Sequence, residues 1–387
     1  MPPVLPGYNT SRPELSVEDW GILNGICPYF TMFPLSFPMR VLGKRKRTDK
    51  WLLDPFVGRG TSLVAARSVG LGGIGLDSSP VAAAIAQAKV ASSTPAQILS
   101  AARAILEDSR QTTVPEGEFW RAAFDHRTLT EVCRLRDALL LDCRSDTRKL
   151  LRALVLGILH GPKIPEPSYL SNQCPRTFAP KPRYAVEFWR SRHLRPQRIR
   201  VLPLIERKAN SLVRKHLPKA KGWAKAADSR EVGSYADMPP IDWVITSPPY
   251  YGMRTYLPDQ WLRCWFLGGP ESIEYSGHLQ LSHRSQQLFV EDIRKVWRSA
   301  WTVCTTGARL VSRFGAISSR PVDAKTLILA SFKDSGWTVT TCKSAGKARD
   351  GRRQSVQFCT ASPDQDEFDI YASRDRVLTK EPCGIRM

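Results

Sequence analysis

The chain has 387 residues, 42% of them hydrophobic, and a formal net charge of +21. That length and apolar content exclude a disordered polymer and suffice for a sizeable core, as one large domain or two fused ones. The positive excess is concentrated, with fourteen Lys or Arg against two acids between Lys181 and Lys225, a net +12, which argues for a polyanionic partner over mere solubility.

Residues 1–20 are proline-rich and polar and are expected to form an extended arm. They lack the basic start and apolar stretch of a signal peptide. Residues 35–42 predict a short helix with Pro38 in its first turn, followed by a basic loop, Lys44 to Arg47. Residues 50–90 then read as strand, loop, helix, strand, helix. Trp51 to Leu53 is the first strand, Thr61 caps a helix to about Val69, Ile74 to Leu76 is the second strand, and Pro80 to Val90 is an Ala-rich helix. Such alternation predicts a parallel sheet with crossover helices, an α/β fold.

Residues 95–225 depart from it. Leu129, Val132, Leu135 and Leu139 recur at helical spacing, as do Leu150, Leu151, Leu154, Val155 and Ile158. The proline-rich stretch 161–183 reads as loop, and Ile205, Ala209, Leu212 and Val213 suggest one more helix. This is a basic, mainly helical insertion. In its charged part Tyr184, Phe188, Trp189 and Trp223 lie among the cations, a mixture suited to phosphate contact and base stacking or to a solvated face with buried aromatics. The α/β pattern resumes near Ala226. Trp243 to Ile245 is a strand, 287–304 a helix, Ala308 to Phe314 a strand, Ala324 to Ser335 a helix ended by Gly336, and Trp337 to Cys342 and Val356 to Cys359 a pair of strands. The expected division is therefore 1–94 (arm and first half of the α/β domain), 95–225 (insertion) and 226–387 (second half with a C-terminal tail). No apolar run reaches membrane-spanning length, the longest, Leu150 to Leu159, being broken by Arg152.

Three segments carry chemistry. Asp54-Pro55-Phe56-Val57-Gly58-Arg59-Gly60-Thr61 takes a buried strand through a glycine loop into a helix. The glycines admit a ligand close to the backbone, and the helix start offers free N–H groups. Gly75-Leu76-Asp77-Ser78-Ser79-Pro80 ends the second strand on an acid placed to accept ribose hydroxyls, with a helix N-cap as the alternative use of these side chains. Asp242-Trp243-Val244-Ile245-Thr246-Ser247-Pro248-Pro249-Tyr250 ends a third strand at the sheet's carboxyl edge. Its two prolines remove N–H donors, leaving the Ser247 hydroxyl and nearby carbonyls as acceptors beside the flat ring of Tyr250. Such acceptors suit an amino group whose lone pair is delocalised. They hold its two N–H bonds and stabilise the positive charge that grows as nitrogen attacks a methyl carbon. An aromatic neighbour suits a base flipped from a duplex.

These motifs resemble those of the S-adenosylmethionine-dependent DNA amino-methyltransferases, in particular the N4-cytosine group. Asp-Pro-Phe-Val-Gly-Arg-Gly-Thr is similar to their cofactor motif and Thr-Ser-Pro-Pro-Tyr to their catalytic motif. Cys27-Pro28-Tyr29 through Phe33 to Pro38 resembles the aromatic and proline segment that covers the methionine end of the cofactor, and Asp228-Ser229-Arg230 the third-strand acid. The resemblance implies a Rossmann-like methyltransferase fold with a mixed, mostly parallel seven-stranded sheet. It implies S-adenosyl-L-methionine as cofactor, bound by Tyr29, Thr31, Asp54, Phe56, Gly58, Gly60, Thr61, Asp77, Ser78 and Asp228. It implies Ser247, Pro248, Pro249 and Tyr250 as the catalytic group, with Ser247 pointing to cytosine N4 ahead of adenine N6. The chain departs from the family's usual order, because the long insertion falls between Asp77 and Asp228 rather than before the catalytic motif. Residues 255–290, with Arg254, Arg263, His278, His283 and Arg284 in or beside them, are candidates to share target recognition, though His283 reads as a surface residue rather than a catalyst.

Other chemistries fit less well. Methylation at cytosine C5 needs a Pro-Cys nucleophile, and Pro382-Cys383 sits in the tail. RNA guanine-N2 enzymes usually begin the catalytic motif with Asp or Asn and add an RNA-binding domain. An inactive binding module would not keep every polar position filled. Nine cysteines without a Cys-x-x-Cys pair and six scattered histidines predict neither a disulfide framework nor a metal site. The expected partner is double-stranded DNA and not a membrane, with a cognate restriction endonuclease open, in a cytoplasmic, nucleoid-associated setting.

Overall fold

The computed structural model describes residues 16–29, 33–43, 49–212, 218–253, 257–273, 280–317, 322–347 and 366–375. Thr31, the Lys44 to Arg47 loop, Arg254, His278 and the Val356 to Cys359 strand lie outside these residues.

Among them β1 (Trp51–Asp54), β2 (Gly72–Asp77), β3 (Gly222–Ala226), β4 (Ile241–Thr246), β5 (Cys304–Gly315), β6 (Thr338–Lys347) and β7 (Asp366–Ser373) form one sheet, in the order β3-β2-β1-β4-β5-β7-β6. β1 runs parallel to β2 and β4, β2 to β3, and β4 to β5, while β7 is antiparallel to both β5 and β6. This is the mixed, mostly parallel, seven-stranded Rossmann-like sheet that was expected. The strand order reverses between β1 and β4, and open α/β sheets bind ligands outside the carboxyl ends at such a switch point.

Neighbouring residues on a strand face opposite ways, so a central parallel strand must be apolar on both sides. Leu52, Ile245 and Val311 pack under α1 (Val17–Asn24), α2 (Ser36–Leu42) and α3 (Thr61–Ser68), with α4 (Pro80–Gln87) beside them. Their immediate neighbours Leu53, Val244 and Leu310 enter a second core on the other face. Pro80 follows the Ser79 N-cap of α4, where its missing N–H costs nothing.

Beyond α4 lies a third, helical core. It is built by α5 (Pro95–Glu107), α6 (Glu118–Ala123), α7 (His126–Leu141), α8 (Asp146–Ile158), α9 (Pro182–Ser191) and α10 (Val201–Leu212). Three of them start at side-chain caps: a Thr94–Gln97 capping box with Pro95 for α5, Asp125 for α7 and Ser145 for α8. α11 (Trp261–Phe266), from the segment after the Ser-Pro-Pro-Tyr turn, contributes Trp261, Leu262, Trp265 and Phe266 to the same core. α12 (Gln286–Val303) and α13 (Ala324–Phe332) cover the second core. No helix of the described residues is long and apolar enough to cross a membrane.

Four details differ from the sequence expectation. α1 begins at Val17, inside the stretch expected to be an extended arm, because Ser16 and Asp19 form a capping box and Trp20 is buried. β3 begins at Gly222, inside the stretch assigned to the insertion, and Trp223 packs on Trp51 of the sheet with ring centroids 6.0 Å apart. Thr61 is already inside α3, whose N-cap is Gly60. β7 has no counterpart in the expectation, because Asp366, Glu367 and Asp369 break its apolar pattern.

Candidate active site

The carboxyl ends of β1 and β4 are joined by a buried carboxylate. Asp54, fully buried at the end of β1, accepts hydrogen bonds from the Phe56 N–H at 3.1 Å, from the Ser62 hydroxyl of α3, and from the Thr246 hydroxyl at the end of β4, 2.6 Å away. One side chain therefore holds the glycine loop, the helix after it and the strand that carries the Ser-Pro-Pro-Tyr turn. Burial pushes the Asp54 carboxyl up to about 6, although its three donors pull the other way. Thr246 was not foreseen as a site residue, though it directly precedes the motif.

The two loop glycines differ in what they need. Gly60 has φ of +83°, and a Cβ there would come within 2.9 Å of the Ala86 backbone on α4, so packing demands the glycine. Gly58 has φ of +49°, and a Cβ there would meet nothing within 4 Å. Its outer side is open to a ligand. The Gly58 N–H donates to Asp77 Oδ2 at 2.9 Å and the Ser79 N–H to Oδ1 at 2.9 Å. These bonds aim the Asp77 carboxylate, which burial also pushes up to about 6. Ser79 takes the cap of α4, leaving Ser78 half-buried beside Asp77. Phe56 stands edge-on to Trp297 at 6.5 Å.

The segment before β1 closes over this loop. The Tyr29 hydroxyl hydrogen-bonds with Ser79 and lies near Asp77, and burial raises its pKa. Thr61 donates to Asn24 Oδ1 at 3.2 Å. Beneath it the fully buried Lys89 amino group donates to the carbonyls of Leu23 and Asn24 at 2.6 and 3.1 Å, at the carboxyl end of α1, while burial brings its pKa well below the usual lysine value. Nothing in the Ala-rich helix sequence marked Lys89 as a support.

Asp228 lies past the end of β3, and Arg230 grips it through both oxygens, the shortest bond being 2.6 Å, while also reaching Asp292 of α12 at 3.0 Å. Partial burial opposes ionisation, but the guanidinium holds the Asp228 carboxyl below the usual range. The carboxylate is thus braced across to α12.

At the end of β4, Ser247 is half-buried, and its hydroxyl has no partner among the described residues. Pro248 is buried and Pro249 partly so. Tyr250 is only 7% exposed; its hydroxyl donates to Glu367 of β7 at 2.6 Å and its ring meets Phe314 edge-on at 5.3 Å. The turn that follows, with Gly252 at φ of +83°, is fixed by an N–H to the His283 ring at 3.0 Å. His283 is therefore a support for the turn and not a loose surface group. Arg263 is fully buried, donating to the carbonyls of Leu156 and Arg176 at 3.0 Å each, so it reads no external ligand. Arg284 is exposed.

The basic segment divides. Trp189 and Trp223 are structural, the first fully buried in the helical core and the second on the sheet, whereas Tyr184 and Phe188 face outward from α9.

No protein-family model matches the chain, and no curated protein matches it. Solved structures similar to it include a SAM-dependent methyltransferase of Methanosarcina mazei, 9% identical over 89% of this chain and 99% of that one, with a TM-score of 0.34. Magnesium protoporphyrin IX methyltransferase of Synechocystis PCC 6803, with bound SAM, is 9% identical over 88% of this chain and 76% of that one, at a TM-score of 0.30. A candidate DNA modification methylase of Thermus thermophilus is 17% identical over 41% of this chain and 54% of that one, at a TM-score of 0.24.

Proposed function

We propose that the chain is an S-adenosylmethionine-dependent methyltransferase acting on the exocyclic amino group of a base in duplex DNA, with cytosine N4 as the first target and adenine N6 as the second. The observation that carries this reading is the Asp54–Thr246 bond, which sets the glycine loop and the Ser-Pro-Pro-Tyr turn side by side at the switch point of the sheet. A cofactor-binding loop and a row of hydrogen-bond acceptors then face one space.

The residues there fit the cofactor. The open side of Gly58 admits a ligand against the backbone, and Asp77, aimed by two N–H groups, is an acceptor suited to ribose hydroxyls. Tyr29, Phe56, Gly60, Thr61 and Ser78 surround the loop, Asp54 braces it from behind, the Ser229 hydroxyl reaches the Pro55 carbonyl from the β3 side, and Asp228, held by Arg230, is the acid for the cofactor's adenine. When bound, the cofactor supplies an electrophilic methyl group on a sulfonium. The Ser247 hydroxyl and the Pro248 carbonyl accept the two N–H bonds of the target amino group. They steady the positive charge that grows on nitrogen, and the proton then leaves to solvent water. Tyr250, held by Glu367 and Phe314, offers a rigid ring beside a flipped base. Cytosine comes first because the turn opens on Ser247.

The test is transfer of labelled methyl from S-adenosylmethionine to unmodified duplex DNA by the full chain, followed by mass analysis of the nucleosides. N4-methylcytosine is the expected product. N6-methyladenine moves the target to the second choice, and transfer only to RNA removes DNA as the substrate. Ser247→Ala is expected to lower turnover about 100-fold, in line with the loss of one group that stabilises transition-state charge, while calorimetry shows unchanged cofactor affinity. Loss of cofactor binding would refute the role given to Ser247.

A further inference from the structure

α9 is amphipathic in an unusual sense. Its inward residues Ala185, Val186 and Trp189 are buried in the helical core, yet its outward side also carries aromatic rings. Tyr184 is 64% exposed and Phe188 36%, one helical turn apart, with rings 6.3 Å from centroid to centroid and 30° from parallel. One turn further on, the Arg192 guanidinium lies 3.9 Å over the Phe188 ring. Two rings and a guanidinium thus form a continuous flat strip facing water.

The cations around the strip fall into two groups. Arg183 pairs with Glu187 and Arg190 with Glu118. Arg192, Arg195, Arg198 and Arg200 are exposed and meet no carboxylate among the described residues. Several uncompensated guanidinium groups on a short stretch repel one another until a polyanion neutralises them.

The strip is also tied to the catalytic turn. In the segment leading into α9, the Pro180 carbonyl accepts from the Trp261 indole at 3.2 Å, the Thr177 carbonyl from the Gln260 amide at 2.9 Å, and the Ala179 N–H donates to the Asp259 carbonyl at 2.8 Å. Residues 259–261 belong to the stretch that follows Tyr250. Arg176, just before that segment, is exposed. Burial above all brings the Arg59 guanidinium of the glycine loop down to about 10, and the Arg176 charge acts on it in the same direction.

We propose that α9 and residues 192–200 form the docking surface for the DNA substrate, with the Tyr184 and Phe188 rings stacking on an exposed base and Arg192, Arg195, Arg198 and Arg200 taking backbone phosphates. This rests on the reading of DNA as the substrate and adds the residues that hold it. A membrane surface fits less well, because the apolar side of α9 is already buried and two rings leave little to insert.

The test is fluorescence anisotropy of the full chain with labelled duplex DNA over a range of salt. The double variant Tyr184→Ala/Phe188→Ala is expected to bind about 10-fold more weakly with an unchanged salt slope, since stacking releases no counterions. Arg195→Gln/Arg198→Gln is expected to flatten the log–log salt slope by about two. Unchanged DNA affinity in both variants overturns the proposal, and so does binding to anionic phospholipid vesicles that these variants abolish. Methyl transfer, assayed separately, keeps the two readings apart. Transfer to DNA with variant-insensitive binding defeats only the surface, whereas variant-sensitive binding with no transfer to any nucleic acid defeats only the enzyme.

Discussion

At the scale of single residues, the buried carboxylate of Asp54 has a measurable pH signature. Its pKa rises from 3.8 to about 6 on folding, with burial as the main cause. A raised folded-state pKa contributes stability that is fully present below about pH 4 and is lost as pH rises through about 6. Asp54→Asn does not titrate. Its stability relative to the parent is therefore expected to improve by on the order of 3 kcal/mol between about pH 3.5 and pH 7.5. Urea denaturation at several pH values measures this, and a difference independent of pH would refute it. The sequence made Asp54, Asp77, Gly58 and Gly60 legible because a tight turn from strand to helix puts strict local demands on the backbone. It could not show that Gly60 answers to Ala86, that Lys89 holds the end of α1, or that Thr246 bonds Asp54, because each of those contacts joins residues far apart in the chain.

At the scale of elements, β7 is the informative case. Inserted between β5 and β6, it carries Glu367 and Asp369, both buried, where an apolar alternation is the usual mark of a strand. Asp369 meets Arg313 of β5 in a two-pronged ion pair at 2.7 Å for each bond, and Phe37 of α2 lies against the same guanidinium at 4.0 Å. Glu367 receives the Tyr250 hydroxyl. These acids are tolerated because their partners come from other elements. Arg313→Met would leave the Asp369 carboxylate with only the exposed Arg40, 3.7 Å away, and is expected to cost about 3 kcal/mol, while adding Asp369→Leu should recover most of the loss. Equal stability of the single variant and the parent in chemical denaturation would show that the pair is not what holds β7 in place.

At the scale of the whole molecule, the helical insertion is no appendage. Its core takes in Ile26, Cys27 and Tyr29 from the segment over the glycine loop, Val81 and Ile85 from α4, and Trp261 and Trp265 from α11. Trp261 meets Phe119 at 4.8 Å and Trp120 at 5.8 Å, which fastens the stretch after the Ser-Pro-Pro-Tyr turn to α6. Trp261→Ala is expected to destabilise the protein by about 3–5 kcal/mol. It should also lower turnover more than cofactor affinity, because α11 follows the turn and not the glycine loop. Limited proteolysis should then cut first within residues 161–181, and earlier cleavage within the sheet would contradict this coupling.

Local chemistry accounts for every feature that could be read along the chain. Strand apolarity, helix caps, the glycine loop, the strand-end acid Asp77 and the acceptors of the Ser-Pro-Pro-Tyr turn each depend on neighbours within a few residues. A parallel sheet with crossover helices followed from their alternation, and its mixed, seven-stranded form from the motif resemblance. Only the tertiary structure decided which side chains are free to act. It sank Trp189 and Arg263 into the helical core and left Tyr184 and Phe188 in water. It braced Asp228 with Arg230 and left the Ser247 hydroxyl without a partner among the described residues. The physical reason is that a polar or aromatic side chain takes its role from the partner it finds on folding, and those partners come from distant parts of the chain.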